Sequence, residues 1–90
     1  KEKGINMATV EIYTKDYCPY CTRAKELLDH KGVSYTEYSL TDDPTLKKPM
    51  VERAEGRTTV PQIFIDDIGY GGCDDLYALE QQNKLDALLA

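Results

Sequence analysis

The chain has no tryptophan, one phenylalanine, one histidine and only three cysteines among its 90 residues. Other things are missing as well. No stretch approaches the roughly 18 consecutive apolar residues of a membrane-spanning helix, which argues against a helical membrane protein. The 11 Lys and Arg are outnumbered by 16 Asp and Glu and do not cluster, so the basic footprint of a nucleic-acid binder is absent. No block of like charge is long enough for an acidic tail, and the net charge of -5 serves mainly to keep a small protein soluble and monomeric. Repeats, low-complexity stretches and linkers are lacking too. The opening Lys1-Glu2-Lys3-Gly4-Ile5-Asn6 carries charge but no apolar block, so it does not read as a secretory signal. Residues 1–6 are expected to be a tag remnant or frayed tail, with Met7 the natural start. Residues 7–90 are expected to form one domain in the cytoplasm.

Three cysteines do not make a disulfide scaffold, which usually carries an even, well-spaced set. Two of them, Cys18 and Cys21, lie three positions apart and would staple very little. Such a pair points to reactivity.

What is present alternates in type. Residues 9–13 are β-prone, with Val10 and Ile12 on one side. From Pro19 to Lys31 the apolar residues Cys21, Ala24, Leu27 and Leu28 recur at helical spacing, and Gly32 stops the helix. Val33 to Ser39 reads as strand, with Val33 and Tyr35 on one face. Asp43-Pro44 reads as a helix cap followed by proline at the first helical position. Met50, Val51 and Ala54 supply the stripe, and Pro49 either kinks this helix or begins it. Gln62 to Asp66 is a short strand buried on both faces. Asp67 lies in a turn, and Ile68 with Tyr70 starts a return strand. After Gly71-Gly72, short helices are expected at 74–82 and 84–89. The order β-α-β-α-β-β-α, with a right-handed first crossover, is that of the α/β thioredoxin-type fold: a four-stranded mixed sheet covered by helices.

In Tyr17-Cys18-Pro19-Tyr20-Cys21 the first cysteine falls just before a helix and the second one turn inside it. Free N–H groups and the helix dipole at that end favour a negative sulfur. Lys15 could add a positive charge nearby, and Pro19 pre-forms the turn. Cys18 should attack and Cys21 resolve. The rival reading is half a zinc site, but structural zinc wants four ligands, and only Cys73 and His30 remain. His30 sits far along the helix and reads as a surface residue, so no metal is expected.

Three blocks carry a resemblance. Lys15-Asp16-Tyr17-Cys18-Pro19-Tyr20-Cys21, then Thr58-Thr59-Val60-Pro61-Gln62-Ile63-Phe64-Ile65, then Gly71-Gly72-Cys73-Asp74-Asp75-Leu76, resemble the signature blocks of glutaredoxins of the small bacterial dithiol type. The resemblance covers Met7 to Ala90. It implies reduction of protein disulfides and glutathione mixed disulfides, with glutathione as co-substrate and no tightly bound cofactor. It implies ribonucleotide reductase or glutathionylated proteins as partners. It also implies a cis Val60–Pro61 bond, with the Val60 N–H and C=O pairing to glutathione as an added strand would and Thr59 and Pro61 in the same binding site. Without the resemblance, a trans bond at a strand start would be the expectation. By the same resemblance Gly72, Cys73, Asp74 and Asp75 form the γ-glutamyl pocket. Asp74 could equally be a plain N-cap there, worth about 1 kcal/mol. Lys15 and Arg57 are candidates for the glycine carboxylate, Tyr20 could line the site, and Cys73 fits by its small size. The segment Thr41 to Met50 departs from the family pattern.

A second reading, an iron–sulfur carrier bridged by Cys18 of two chains, is disfavoured by Pro19, which stiffens the turn and favours the internal disulfide. A brown colour would favour it. A thioredoxin-like donor is a weaker rival, because the Trp-Cys-Gly-Pro-Cys pattern is absent.

Overall fold

The computed structural model describes residues 8–90; the expectations for residues 1–6 and Met7 lie outside the described residues. Strand β1, Val10–Thr14, is central. It pairs in parallel with β2, Thr36–Ser39, and antiparallel with β3, Gln62–Ile65. Strand β4, Ile68–Gly71, closes the sheet beside β3, giving the order β2-β1-β3-β4. The helices are α1 Pro19–His30, α2 Lys47–Arg53, α3 Cys73–Gln81 and α4 Leu85–Leu89. This is the expected four-stranded mixed sheet. None of the described helices is long and apolar enough to cross a membrane.

The stop after α1 has a clear local cause. Gly32 sits at φ +73, and its N–H donates to Asp29 O at 3.0 Å while that of Val33 donates to Leu28 O at 3.4 Å. This is the glycine-terminated helix end expected from sequence. The segment beyond it differs from expectation. Only Thr36–Ser39 forms a regular strand, and Val33 makes an isolated bridge. Val33 and Tyr35 are half-buried against the core, so their apolar character reflects packing of the approach to the sheet.

Asp43 does cap, its Oδ1 accepting the Thr45 N–H at 3.1 Å, but what it caps is a 3-10 turn, Pro44–Leu46. Helix α2 then starts at Lys47, so Pro49 neither kinks the helix nor begins it. As its third residue, Pro49 lies in the first turn, where an N–H would have no intrahelical acceptor.

The sheet divides the interior into two clusters. One face packs Val10, Ile12, Ile63 and Ile65 against Ala24, Leu27 and Leu28 of α1, Leu76 of α3, and Leu85 and Leu89 of α4. The other face packs Tyr13 and Phe64 under Met50 and Ala54, with Leu40 alongside. That second, smaller core is fastened by Arg53. Its guanidinium reaches Glu11 Oε1 at 2.8 Å, Tyr13 Oη at 2.9 Å and Asp67 Oδ1 at 3.3 Å, and lies 4.1 Å from the Phe64 ring centroid. Tyr38 Oη donates to the other Glu11 oxygen at 2.8 Å. The hydrogen bond from Arg53 outweighs partial burial and holds the Glu11 carboxyl below its ordinary range.

Glu11 therefore contributes stability above the ordinary carboxylate pKa, and loses it as pH falls through its lowered folded value. Arg53→Met is expected to cost about 2 kcal/mol in urea melts, short of a fully buried pair because some solvent remains. It is also expected to flatten the loss of stability that the parent shows on acidification below about pH 4.

Candidate active site

Strand β1 ends at Thr14, and the chain must then turn sharply into α1. The Asp16 N–H donates to Thr41 Oγ1 at 2.9 Å, and Tyr17 takes up φ +58. Cys18 follows as the N-cap of α1, with extended φ −112 and ψ 101. Its sulfur stands where a capping oxygen would, accepting the Cys21 N–H at 3.1 Å. Cys18 and Cys21 are joined as a disulfide, their Cα atoms 5.2 Å apart. The two sulfurs differ in access: Cys18 is only partly buried, while Cys21 is 2% exposed. An incoming thiol or disulfide meets Cys18.

Most of the remaining expected residues converge on one cavity at the first turn of α1. A cavity of about 160 Å³ is walled by Tyr20 on α1, by Arg57, by Thr59, Val60 and Pro61 before β3, and by Gly72, Cys73, Asp74 and Asp75 at the start of α3. The Val60–Pro61 bond is cis. The two backbone segments approach closely, since a Cβ on Gly72 would stand 3.3 Å from the Pro61 carbonyl oxygen. Gly71 has φ +97, and a Cβ there would collide with the Asp75 carboxylate and the Arg57 guanidinium. Those two side chains are ion-paired at 3.3 Å over it.

Lys15 is the one expected residue placed elsewhere. With Cys18 and Cys21 it lines a separate, wider groove of about 510 Å³. The N-cap expectation for Asp74 is corrected. Gly72 is the cap residue, and it is Asp75, three residues on, whose Oδ2 accepts the Gly72 N–H at 2.9 Å. A carboxylate three residues on from the cap is placed to reach back to the cap N–H, whereas Asp74 is only two residues on. Cys73 is buried; burial pushes its thiol up, opposed by the charge of Arg23, so it is a weak nucleophile. His30 lies exposed at the C-terminal end of α1. Among the described residues no group of three or more His, Cys, Asp or Glu could hold a metal ion.

Sequence reasoning passed over two features. Gln62 is 1% exposed, and its Nε2 donates to Thr59 O at 3.0 Å and Thr59 Oγ1 at 3.3 Å, fixing the loop before β3. In the groove, Glu37 accepts from Thr14 Oγ1 at 2.6 Å and from Lys25 Nζ at 3.0 Å. Burial resists ionisation of Glu37, but these two donors outweigh it and leave its carboxyl below the ordinary range. Lys25 could have been found, since it follows Cys21 by four residues and so shares its helix face.

A dithiol at a helix N-terminus, on a sheet of this topology, defines a thiol–disulfide oxidoreductase of the thioredoxin fold. Comparison with known proteins narrows the class. The glutaredoxin family model matches residues 10–68. Glutaredoxin 3 of Escherichia coli strain K12 is 58% identical over 83 residues, 92% of this chain and 99% of that relative. The solution structure of glutaredoxin from Brucella melitensis is 53% identical with a TM-score of 0.79, covering 94% of this chain and 91% of that one. A buckwheat glutaredoxin–glutathione complex is 31% identical with a TM-score of 0.81, covering 93% and 78%. This chain belongs to the glutaredoxin family.

The cap geometry gives an uneven expectation for two adjacent aspartates. Asp75→Ala should lower stability by about 1 kcal/mol and increase amide exchange at the start of α3. Asp74→Ala should stay within about 0.5 kcal/mol of the parent, as exposed substitutions do. Equal losses in urea melts would contradict the assignment of the cap.

Proposed function

We propose that this glutaredoxin reduces protein disulfides and glutathione mixed disulfides with electrons from glutathione, using Cys18 as nucleophile and Cys21 as resolving thiol. The observation that carries the reading is the pairing of an accessible Cys18 sulfur, capped by the Cys21 N–H at 3.1 Å, with a Cys21 that is 2% exposed. A backbone N–H aimed at sulfur stabilises the thiolate over the thiol. In the reduced enzyme, that thiolate attacks the sulfur of a mixed disulfide and the partner leaves as its thiolate. Glutathione then attacks the glutathionyl sulfur on Cys18, releasing oxidised glutathione and restoring the Cys18 thiolate. When the partner is a protein disulfide, Cys21 closes on Cys18 and expels the protein thiolate, and two glutathiones later reopen the internal disulfide.

The cavity at the first turn of α1 is the proposed seat of glutathione; the buckwheat neighbour, a glutaredoxin–glutathione complex, supports glutathione as the ligand. Val60 offers its backbone for strand-like pairing, and Thr59, Pro61, Tyr20, Gly72 and Cys73 shape the wall. Asp74 and Asp75 are the proposed acceptors of the glutamyl ammonium, and Arg57 in the cavity or Lys15 in the separate groove is the proposed partner of the glycine carboxylate. The enzyme is proposed to act as a cytoplasmic monomer, where glutathione keeps dithiols reduced. Ribonucleotide reductase and glutathionylated proteins are its proposed substrates.

Two variants separate the roles. Cys18→Ser should abolish turnover of both substrate types in the assay coupled to glutathione reductase. Cys21→Ser should keep most activity on a glutathione mixed disulfide, which needs one enzyme thiol, and lose at least tenfold on a protein disulfide. Equal losses from both variants on both substrates would sink the division of labour.

A second measurement addresses the helix end itself. Alkylation of Cys18 in the Cys21→Ser variant should show a midpoint well below the pH of about 8.5 at which a free cysteine titrates.

A further inference from the structure

Three large apolar side chains stand exposed among the described residues, and two of them flank the nucleophile: Tyr17 at 102% and Tyr20 at 54%, with Ile68 at 57% elsewhere. Tyr20 belongs to the wall of the small cavity. Tyr17 does not; it lines the groove of about 510 Å³ with Lys15, Asp16 and Thr22. Its ring buries nothing. Its backbone sits at φ +58, a left-handed conformation that asparagine or glycine adopts with far less strain than a bulky residue does. A tyrosine held there adds nothing to this fold and carries a conformational penalty, a combination that marks residues whose contacts lie outside the chain.

The groove starts at the reactive sulfur. Cys18 and Cys21 form part of its wall, and the ion pair of Lys25 with Glu37, held by Thr14, gives it a fixed polar side. It is about three times the volume of the cavity proposed for glutathione. Any polypeptide disulfide-bonded to Cys18 must lie against the surface around that sulfur, and of the two concavities this groove is the one that Cys18 itself lines. We infer that the Tyr17 groove docks the polypeptide flanking the target cysteine of a protein substrate, with an apolar side chain of that segment covering the Tyr17 ring. Aromatic rings supply large contact area for little conformational entropy, which is why tyrosine recurs as an anchor in interfaces. This rests on Cys18 as the nucleophile of the proposed function and assigns the side on which protein substrates approach.

The test compares substrates that differ in having a polypeptide. Enzyme reduced with dithiothreitol and desalted is mixed, with no glutathione added, with the cysteine–glutathione mixed disulfide or with insulin, and single-turnover rates are read. In each reaction the Cys18 thiolate attacks the probe's S–S bond, one sulfur becoming disulfide-bonded to Cys18 and the other leaving as a thiolate. Tyr17→Ala should slow the insulin reaction about tenfold and leave the small disulfide within about twofold of the parent. Tyr17→Phe, which keeps the ring, should match the parent on both. Tyr17→Asn, which suits the left-handed backbone, should behave as Tyr17→Ala does, tying the effect to the ring. An unchanged insulin rate in Tyr17→Ala would overturn the inference, as would equal slowing on both probes, which would mark a structural role for the turn. The glutathione reading fails separately: it falls if the parent turns over with dithiothreitol but not with glutathione, and the single-turnover comparison stands either way.

Discussion

The Cys18 sulfur is positioned by the pairing of β1 with a strand on each side. Because β1 lies between β2 and β3 and both of its faces are covered, its end at Thr14 cannot shift without disturbing the whole sheet. Four residues later the chain must present Cys18 at the mouth of α1, and α1 is itself pinned through Ala24, Leu27 and Leu28. The 3.1 Å contact between the Cys21 N–H and the Cys18 sulfur is therefore set between two rigid bodies. A helix terminus fixed in this way can offer its dipole to a sulfur with no reorganisation when charge appears there.

The second wall is built by the same logic from further along the chain. Strand β3 pairs with β1, so the segment before β3 arrives at the same edge of the sheet, and β4 returns the chain to begin α3 there. Gln62 ties Thr59 down, and Asp75 ties Gly72 down. Both are polar side chains serving the backbone of neighbouring loops. Nine residues from three stretches of sequence thereby meet around one cavity.

What could be read in the sequence was the local part. The Cys18–Cys21 spacing, the Gly32 stop, the Asp43 cap and the apolar run Ile63-Phe64-Ile65 each announce themselves within a few residues, because turn and capping chemistry is short-range. Tyr35 looked like strand because burial and strand propensity leave the same mark in a sequence. Pro49 misled in another way, since a proline in a first turn and a proline that starts a helix differ only in where the preceding turn ends. The Arg53 network could not be seen at all: Glu11 and Arg53 are 42 positions apart, and nothing local in either residue names the other. For the site, the three blocks brought its residues to light only through resemblance to a family; composition alone pointed no further than the two cysteines. The choice of Asp75 over Asp74 as the capping carboxylate needed the backbone geometry of Gly72.

The division of the interior by the sheet also has a kinetic side. Among the described residues the face under α2 holds five buried ones, and the face under α1, α3 and α4 holds twelve, so the two halves of the domain are unequally supported. Local opening is easiest where buried apolar contact is least. Helix α2 is thus the element whose amides should exchange first with solvent, and the segment of residues 54–61 leads straight from it into the wall of the cavity. The mount of Cys18 belongs to the better-supported half. A glutaredoxin built in this way can let one wall of its cavity breathe while its Cys18–Cys21 pair stays registered at the start of α1.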